Sequence, residues 1–396
     1  MLLPLEGVKI LAVSQFGAGP YSTMLLAELG AEVIKIEDPS VGGDVSRSVP
    51  PDAMEHDSLY FQSFNRNKKS LTLNLKTAEG REIMWNLARI SNAVFNNLRG
   101  DQAIKLGLTY ASLGRVNPKI VCCSLAGFGT TGPNATEPGY DYLMQAYAGY
   151  MNLTGDPDGP PAVCGVSVID HAAGFAAALA LVAAVYAAQS TGEGRDVEVD
   201  LIDIAYSMLT YLAIWNLNRG YEPIRHAGSA HQTLVPVQTF RTKDSYLVVF
   251  CAKEKFWHAL CSAMKLEHLV SDERFANFER RLQNRELVVS TLQKTFLIKT
   301  TEDWLKLLRG KVPCAPVNNL SQAMHEPFLV DRKMIVETQH PFFGTIRQVA
   351  SPIRLPGTNM DHKRAPALGE HTDEILRNYL GYDDDMIVEL RQRRVI

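Results

Sequence analysis

No two of the six cysteines stand at C-x-x-C spacing; Cys122, Cys123, Cys164, Cys251, Cys261 and Cys314 are scattered along the chain. That argues against a disulfide framework and fits reduced thiols in a cytoplasmic protein. Neither sign of charge dominates: 40 basic residues face 43 acidic ones, a formal net charge of -3. No broad field therefore recruits nucleic acid or an anionic membrane surface. The opening Met1-Leu2-Leu3-Pro4-Leu5-Glu6 has no basic segment followed by a long apolar core, so no signal peptide is expected. No His/Cys/Asp cluster has metal-ligand spacing, and Ser124 lacks the G-x-S-x-G setting of a hydrolase nucleophile. Internal repeats and low-complexity segments are missing as well. One run without Asp, Glu, Lys or Arg, from His171 to Ser190, approaches the roughly 20 residues that span a bilayer. It is mostly Ala and Gly, however, and closes into the polar Ser190-Thr191-Gly192-Glu193-Gly194-Arg195. A helix packed closely in a core through its small residues is the expectation, with no membrane span.

What is present is an ordinary globular balance, 46% hydrophobic and 21% charged over 396 residues, enough for two domains. The first segment reads as a βαβ unit. Val8 to Val13 is an apolar strand, Ser14 to Gly19 a small-residue turn, and Pro20 suits the first position of a helix ending at Gly30. Glu32 to Glu37 is the second strand, and Asp38 to Ser58 a long polar loop. Lys69 to Leu75, Ala93 to Asn97 and Ile120 to Leu125 read as further strands, with a helix from Thr77 to Ile90. Strands alternating with helices imply an α/β fold with a mostly parallel sheet. After Val197 to Asp200 the pattern predicts a helix from Ile202 to Asn218. A linker follows, then a smaller α+β unit, and a final helix near Thr372 to Gly381. The domain reading is 1–218, a linker at 219–237, a small α+β domain at 238–325, and a segment at 326–396 returning to the first domain.

Two readings compete at the first turn and two at Asp170. Gly17 and Gly19 give G-x-G, and Glu37 stands where a nicotinamide site keeps its ribose-binding acid. The third glycine position is Ser22, though, and Pro20 removes an amide. The turn still sets helix amides beside an anionic group such as a phosphate or carboxylate. Asp170 precedes the alanine-rich helix, where an Asp commonly serves as a plain N-cap. The same amides and dipole would keep its carboxylate ionised, and poor solvation would keep it reactive toward a thioester. Asn65-Arg66-Asn67-Lys68-Lys69-Ser70, Asn97-Leu98-Arg99 and Lys105 supply donors of the kind that coenzyme A phosphates need.

In this order, several motifs resemble the class III CoA-transferase family. They are Ala18-Gly19-Pro20, Leu29-Gly30-Ala31-Glu32-Val33-Ile34-Lys35-Ile36-Glu37, Asn65 to Ser70, and Asn117-Pro118. Further along come Gly127-Phe128-Gly129, Gly139-Tyr140-Asp141, Asp158-Gly159-Pro160-Pro161 leading to Asp170, and Ala365 to Thr372. The resemblance implies a Rossmann-like large domain built from both chain ends, a smaller α+β domain, and an interlocked homodimer; a heteromer with a paralogous subunit is the other assembly. It implies Asp170 as nucleophile and CoA or acyl-CoA as substrate, with a carboxylic acid acceptor and no prosthetic group. By motif, the CoA contacts are Gly17, Ala18, Leu73, Asn74, Leu75, Lys76, Asn97, Leu98, Arg99, Lys105 and Tyr140. Gln15 and Asp141 fall in the substrate site. The chain departs from the family in showing Asn96-Asn97-Leu98-Arg99-Gly100-Asp101 for Glu-Asn-Phe-Arg-Pro-Gly. The glycine-rich covering loop of formyl-CoA transferase also has no match near Gln232 to Gln238. The first departure alters the pantetheine contacts, and the second argues against formyl-CoA and oxalate. Succinyl-CoA is the expected donor, and loops at Ser40 to Ser58 and Arg225 to Gln238 are expected to select the acceptor. A 2-methylacyl-CoA racemase of the same family is the nearer alternative, but it wants a His where Tyr140 stands. A nucleotide-dependent oxidoreductase is the more distant one, and a non-catalytic subunit a third.

Overall fold

The computed structural model describes residues 2–54, 56–358 and 361–396; Met1, Glu55, Asn359 and Met360 lie outside them. The chain forms two compact units. One comprises Met1–Ala148, Gly165–Leu209 and Phe328–Ile396, the other Gly149–Cys164 and Thr210–Pro327. The chain thus leaves the larger unit earlier than the sequence suggests, and residues 149–164 and 210–218 pack with the smaller one.

The larger unit is built on six strands: β1 (Lys9–Val13), β2 (Glu32–Glu37), β3 (Lys69–Thr72), β4 (Ala93–Asn96), β5 (Val121–Ala126) and β6 (Arg195–Asp200). They pair in parallel in the order β3-β2-β1-β4-β5-β6, the order of doubly wound α/β sheets. The central strands are apolar on both faces because helices cover both. Ile10, Leu11 and Ala12 of β1 and Ala93, Val94 and Phe95 of β4 are all buried. Strand order reverses between β1 and β4, so a crevice opens at their carboxyl ends. The seven helices that matter here are α1 (Ala18–Glu28), α2 (Leu59–Asn65), α3 (Ala78–Arg89), α4 (Gly100–Lys105), α5 (Asp141–Tyr147), α6 (Val168–Thr191) and α7 (Leu201–Ser207).

Several boundaries differ from the sequence reading for local reasons. Helix α1 starts at Ala18, with Tyr21 N donating to Gly17 O; Pro20 therefore sits third, where its missing N–H is one the helix would leave unpaired anyway. Strand β3 ends at Thr72, and Leu73 to Lys76 run on as a loop. The expected helix from Ile202 to Asn218 is two helices, broken at Thr210, whose φ is +44°. Helix α6 is, among the described residues, the one helix long and apolar enough to cross a membrane. One face of it, with Ala173, Gly174, Ala177, Leu181 and Ala188, is buried, while Phe175, Leu179 and Tyr186 are exposed. A Cβ on Gly174 would lie 2.9 Å from the Tyr21 ring and 3.1 Å from Ala18 O, so the glycine is what lets α1 and α6 approach.

In the smaller unit, β7 (Val237–Arg241), β8 (Tyr246–Phe250) and β9 (Cys314–Pro316) form an antiparallel sheet in the order β9-β8-β7. Helices at Glu254–Met264, Arg285–Phe296 and Thr301–Leu308 cover it. Its core gathers Trp257, Phe240, Phe296 and Trp304, the last donating its indole N–H to Phe296 O.

Candidate active site

The turn after β1 is held from below by a buried ion pair. Lys35 Nζ, from β2, donates to Ser14 O at 2.5 Å and to Asp44 Oδ2 at 2.7 Å, and neither side chain reaches solvent. Asp44 Oδ1 accepts from Phe16 N and Ser46 N. These bonds fix Phe16 in a left-handed conformation, φ +64°, which a non-glycine residue keeps only when its surroundings impose it. From the other side, Asn97 makes a two-bond clamp on Gln15: its Oδ1 accepts from Gln15 N at 2.9 Å and its Nδ2 donates to Gln15 O at 2.8 Å. Gly19 lies against this clamp, with room for no side chain, since a Cβ would come within 2.7 Å of Asn97.

The two glycines of the G-x-G pattern are thus explained without a dinucleotide. Glu37, the residue a nicotinamide reading would use, is buried and occupied. Arg47 binds it with two nitrogens at 2.8 Å, and Ser70 Oγ donates to it at 2.6 Å. It has no oxygen to spare for a ribose, and the oxidoreductase alternative fails at this residue.

Asp170 is the third residue of α6 and caps nothing with its side chain. The capping is done by Asp141, the first residue of α5. Its Oδ2 accepts from Ile169 N at 2.7 Å and Asp170 N at 3.1 Å, and its Oδ1 accepts from Gln145 Nε2 at 2.5 Å. The N-cap reading of Asp170 is therefore replaced: a distant carboxylate satisfies the amides, and Asp170 is free to face outward. It does not stay readily ionised, as the helix dipole alone suggests. Burial, and then the neighbouring Asp141 carboxylate, push the Asp170 carboxyl up to about 7.

Gly17 is the closest approach of the turn to Asp170. A Cβ there would stand 3.1 Å from Asp170 Oδ2 and 3.8 Å from the hydroxyl of Tyr60, on α2. Sequence reading passed over Tyr60 because its motif context is unremarkable and only the fold brings α2 to α6. Aromatic rings surround the group: Phe16 meets Tyr60 and Tyr140 edge-on, and His171 packs between Tyr21 and Phe64.

Two cavities open at the crevice. One, of about 430 Å³, is lined by Gln15, Gly17, Ala18, Asn97, Leu98, Arg99, Tyr140 and Asp170, together with Gly127 and Gly139. The other, of about 290 Å³, has Leu73, Leu75, Lys76 and Gln102 in its wall and shares Gln15 and Leu98 with the first. Nine of the sequence-derived contacts therefore meet around one connected site with the nucleophile candidate and Gln15. Three do not line it. Asn74 lines neither cavity: its N–H is bonded to Val395 O, and its Oδ1 accepts from Lys76 N. Asp141 is only 4% exposed and lies beneath Asp170. Lys105 is turned toward Asp101, which also binds Arg99 at 2.8 Å. Among the described residues no group of His, Cys, Asp and Glu is placed to hold a metal ion.

The model of CoA-transferase family III matches residues 5–372. The succinyl-CoA:glutarate CoA-transferase of Homo sapiens is 35% identical over 99% of this chain and 90% of that protein. The succinyl-CoA:mesaconate CoA-transferase of Haloarcula marismortui is 35% identical over 94% of this chain and 95% of that protein. A solved CAIB/BAIF family protein from Brucella suis superposes with a TM-score of 0.83 at 32% identity, covering 96% of this chain and all of that one. With a doubly wound sheet, a carboxyl group in the wall of its crevice and matches spanning nearly every residue, the chain belongs to CoA-transferase family III and is an enzyme that transfers CoA.

Proposed function

We propose that the enzyme moves CoA from succinyl-CoA to a second carboxylic acid, a dicarboxylate, through covalent intermediates on Asp170. The observation that carries this reading is the Asp170 carboxyl in the wall of the larger cavity, 3.1 Å from the Cβ position of Gly17. An ionised Asp170 oxygen attacks the donor carbonyl carbon, the C–S bond breaks, and CoA leaves as thiolate with a mixed anhydride left behind. The thiolate then attacks the aspartyl carbonyl carbon and the donor acid departs as carboxylate, giving an aspartyl-CoA thioester. The acceptor acid reverses both steps. Backbone amides at Gly17 and Ala18 stabilise the oxyanions in this reading. The smaller cavity, with Lys76 at its rim, suits the nucleotide end of CoA, and the larger suits the thioester end. The substrate choice leans on the two curated relatives, both of which use succinyl-CoA and differ in the dicarboxylate. A homodimer is part of the same proposal, supported by the exposed apolar face of Phe175, Leu179 and Tyr186; mostly buried cysteines suit the cytoplasm.

The test is turnover by mass spectrometry with succinyl-CoA and a panel of mono- and dicarboxylic acids. Dicarboxylates should outpace formate and acetate, and Asp170→Ala should lose transfer while still binding CoA. Near-normal transfer by Asp170→Ala would overturn the mechanism. Exchange of the C2 hydrogen of a 2-methylacyl-CoA in deuterated water, with no acceptor present, would favour a racemase.

A further inference from the structure

Tyr60 stands on α2, a helix fixed at its start by Ser58 Oγ, which accepts from Phe61 N at 3.0 Å. Its ring is held by Phe16 at 6.3 Å and by Phe64 at 5.3 Å between centroids. The hydroxyl is directed at the space over Gly17 that Asp170 also faces: the Cβ position of that glycine lies 3.8 Å from the phenol oxygen and 3.1 Å from Asp170 Oδ2. Among the described residues the Tyr60 hydroxyl donates to no protein acceptor, whereas the polar side chains around it are engaged. Asp44 holds Lys35, Asn97 holds Gln15, and Asp141 holds the start of α6. A half-buried phenol with a free donor normally has a partner supplied by something else. Any side chain at position 17 would fill the very gap in which that partner sits, so Gly17 preserves the approach.

We infer that the Tyr60 hydroxyl donates a hydrogen bond to the oxygen that gains charge when the carboxyl carbon of Asp170 itself is attacked by the CoA thiolate. The inference rests on the aspartyl mechanism proposed above and adds a catalytic residue to it. In that step the thiolate sulfur bonds to the Asp170 carbonyl carbon, and the C=O electrons move onto oxygen. The oxygen's charge returns when the bond to the departing carboxylate breaks, so no proton is lost or gained. A donor that stays protonated suits this step. Burial first, then the Asp170 and Asp44 carboxylates, push the Tyr60 phenol above its ordinary value; it is a hydrogen-bond donor at neutral pH and no general base. In the proposed mechanism the main-chain amides of the turn serve the acyl carbonyl of the substrate, which leaves the phenol for the oxygen on the aspartyl side.

Tyr60→Phe removes the donor and keeps the ring that Phe16 and Phe64 pack against. Loss of a single oxyanion donor lowers kcat by about 100-fold. The expected result is such a drop in kcat with succinyl-CoA and the best dicarboxylate, while the Kd for CoA by calorimetry moves less than about twofold. Site-specific 3,5-difluorotyrosine at position 60, more acidic but isosteric, should restore most of the rate below the pH at which it ionises and lose it above. A structural role would show neither effect. A Tyr60→Phe kcat within about threefold of wild type overturns the inference. The underlying reading is tested apart from it: hydroxylamine or borohydride trapping of wild-type enzyme during turnover must mark Asp170. An unmarked Asp170 sinks the aspartyl mechanism whatever Tyr60 does.

Discussion

Asp170 shows most plainly what one residue costs and what it supplies. Its carboxyl is held near 7 by burial and by Asp141, above the 3.8 of an unfolded chain. The sign follows: folding prefers the protonated form, so stability is fully present below about pH 4 and is lost as pH rises through about 7. A shift of this size corresponds to a few kcal/mol, at about 1.4 kcal/mol per unit. Asp170→Asn, neutral at every pH, should therefore melt higher than wild type. The gap in Tm should widen between about pH 4 and 7 and stay level above, measured by calorimetry across buffers. A gap independent of pH would show that Asp170 ionises without penalty. In the proposed mechanism the same carboxyl must be ionised to attack, so kcat/KM should rise through the same range. Reactivity and instability share one cause here. The sequence located this residue but not its state, because the burial and the second carboxylate come from α5, nearly thirty positions away. Tyr60 was hidden for the same reason: no spacing along the chain reveals that α2 points at α6.

Elements fared better where local chemistry decides them. Glu32 to Glu37 is a strand with the bounds the sequence suggests, and α3 begins where Thr77 caps it, its Oγ1 accepting from Gly80 N. The loop after β2 was legible only as polar. What orders it is a pair of buried carboxylates reaching their cations, Asp44 to Lys35 and Glu37 to Arg47. Burial works against the Asp44 charge, but Lys35 and Ser46 outweigh it and hold the carboxyl below its ordinary value. Because Asp44 also accepts from Phe16 N, this pair joins the loop to the turn after β1. Lys35→Met leaves a carboxylate buried without its cation, which costs about 3–5 kcal/mol. Urea unfolding should show a loss of that order, and Lys35→Met/Asp44→Asn should regain part of it. If the single and double variants lose the same amount, the buried charge is not the source. The expected single helix from Ile202 to Asn218 failed for a tertiary reason. The backbone turns at Thr210, where the chain passes from one unit to the other, and nothing in the local propensities marks that departure.

At the scale of the molecule, the larger unit is made by segments 300 or more residues apart, and its parts are interdependent. Thr72 N donates to Thr372 Oγ1, Asn74 N to Val395 O, and Lys69 pairs with Glu374 at 2.8 Å. Ile375, Leu376, Ile387, Leu390, Val395 and Ile396 share one apolar core with Leu11, Ile34, Ile36 and Leu71. The edge strand β3 and the loop that carries Leu73 and Leu75 into the smaller cavity are thus covered by the last 25 residues of the chain. That return was legible as a family likeness and not from composition, since no pattern within residues 372–396 names the strands they cover. A chain ending at His371 would expose this core and leave the Asn74 amide without its acceptor. Such a truncation should lose the cooperative urea transition and bind CoA poorly. Leu376→Ala, fully buried in the wild type, should cost about 2–5 kcal/mol in the same transition. The contrast between them discriminates two pictures. If the C-terminal segment were a dispensable cover, truncation would leave the sheet's unfolding midpoint in place and change only ligand affinity. If it is part of the folding unit, midpoint and affinity fall together, and adding the 372–396 peptide in trans should restore both in proportion to its concentration.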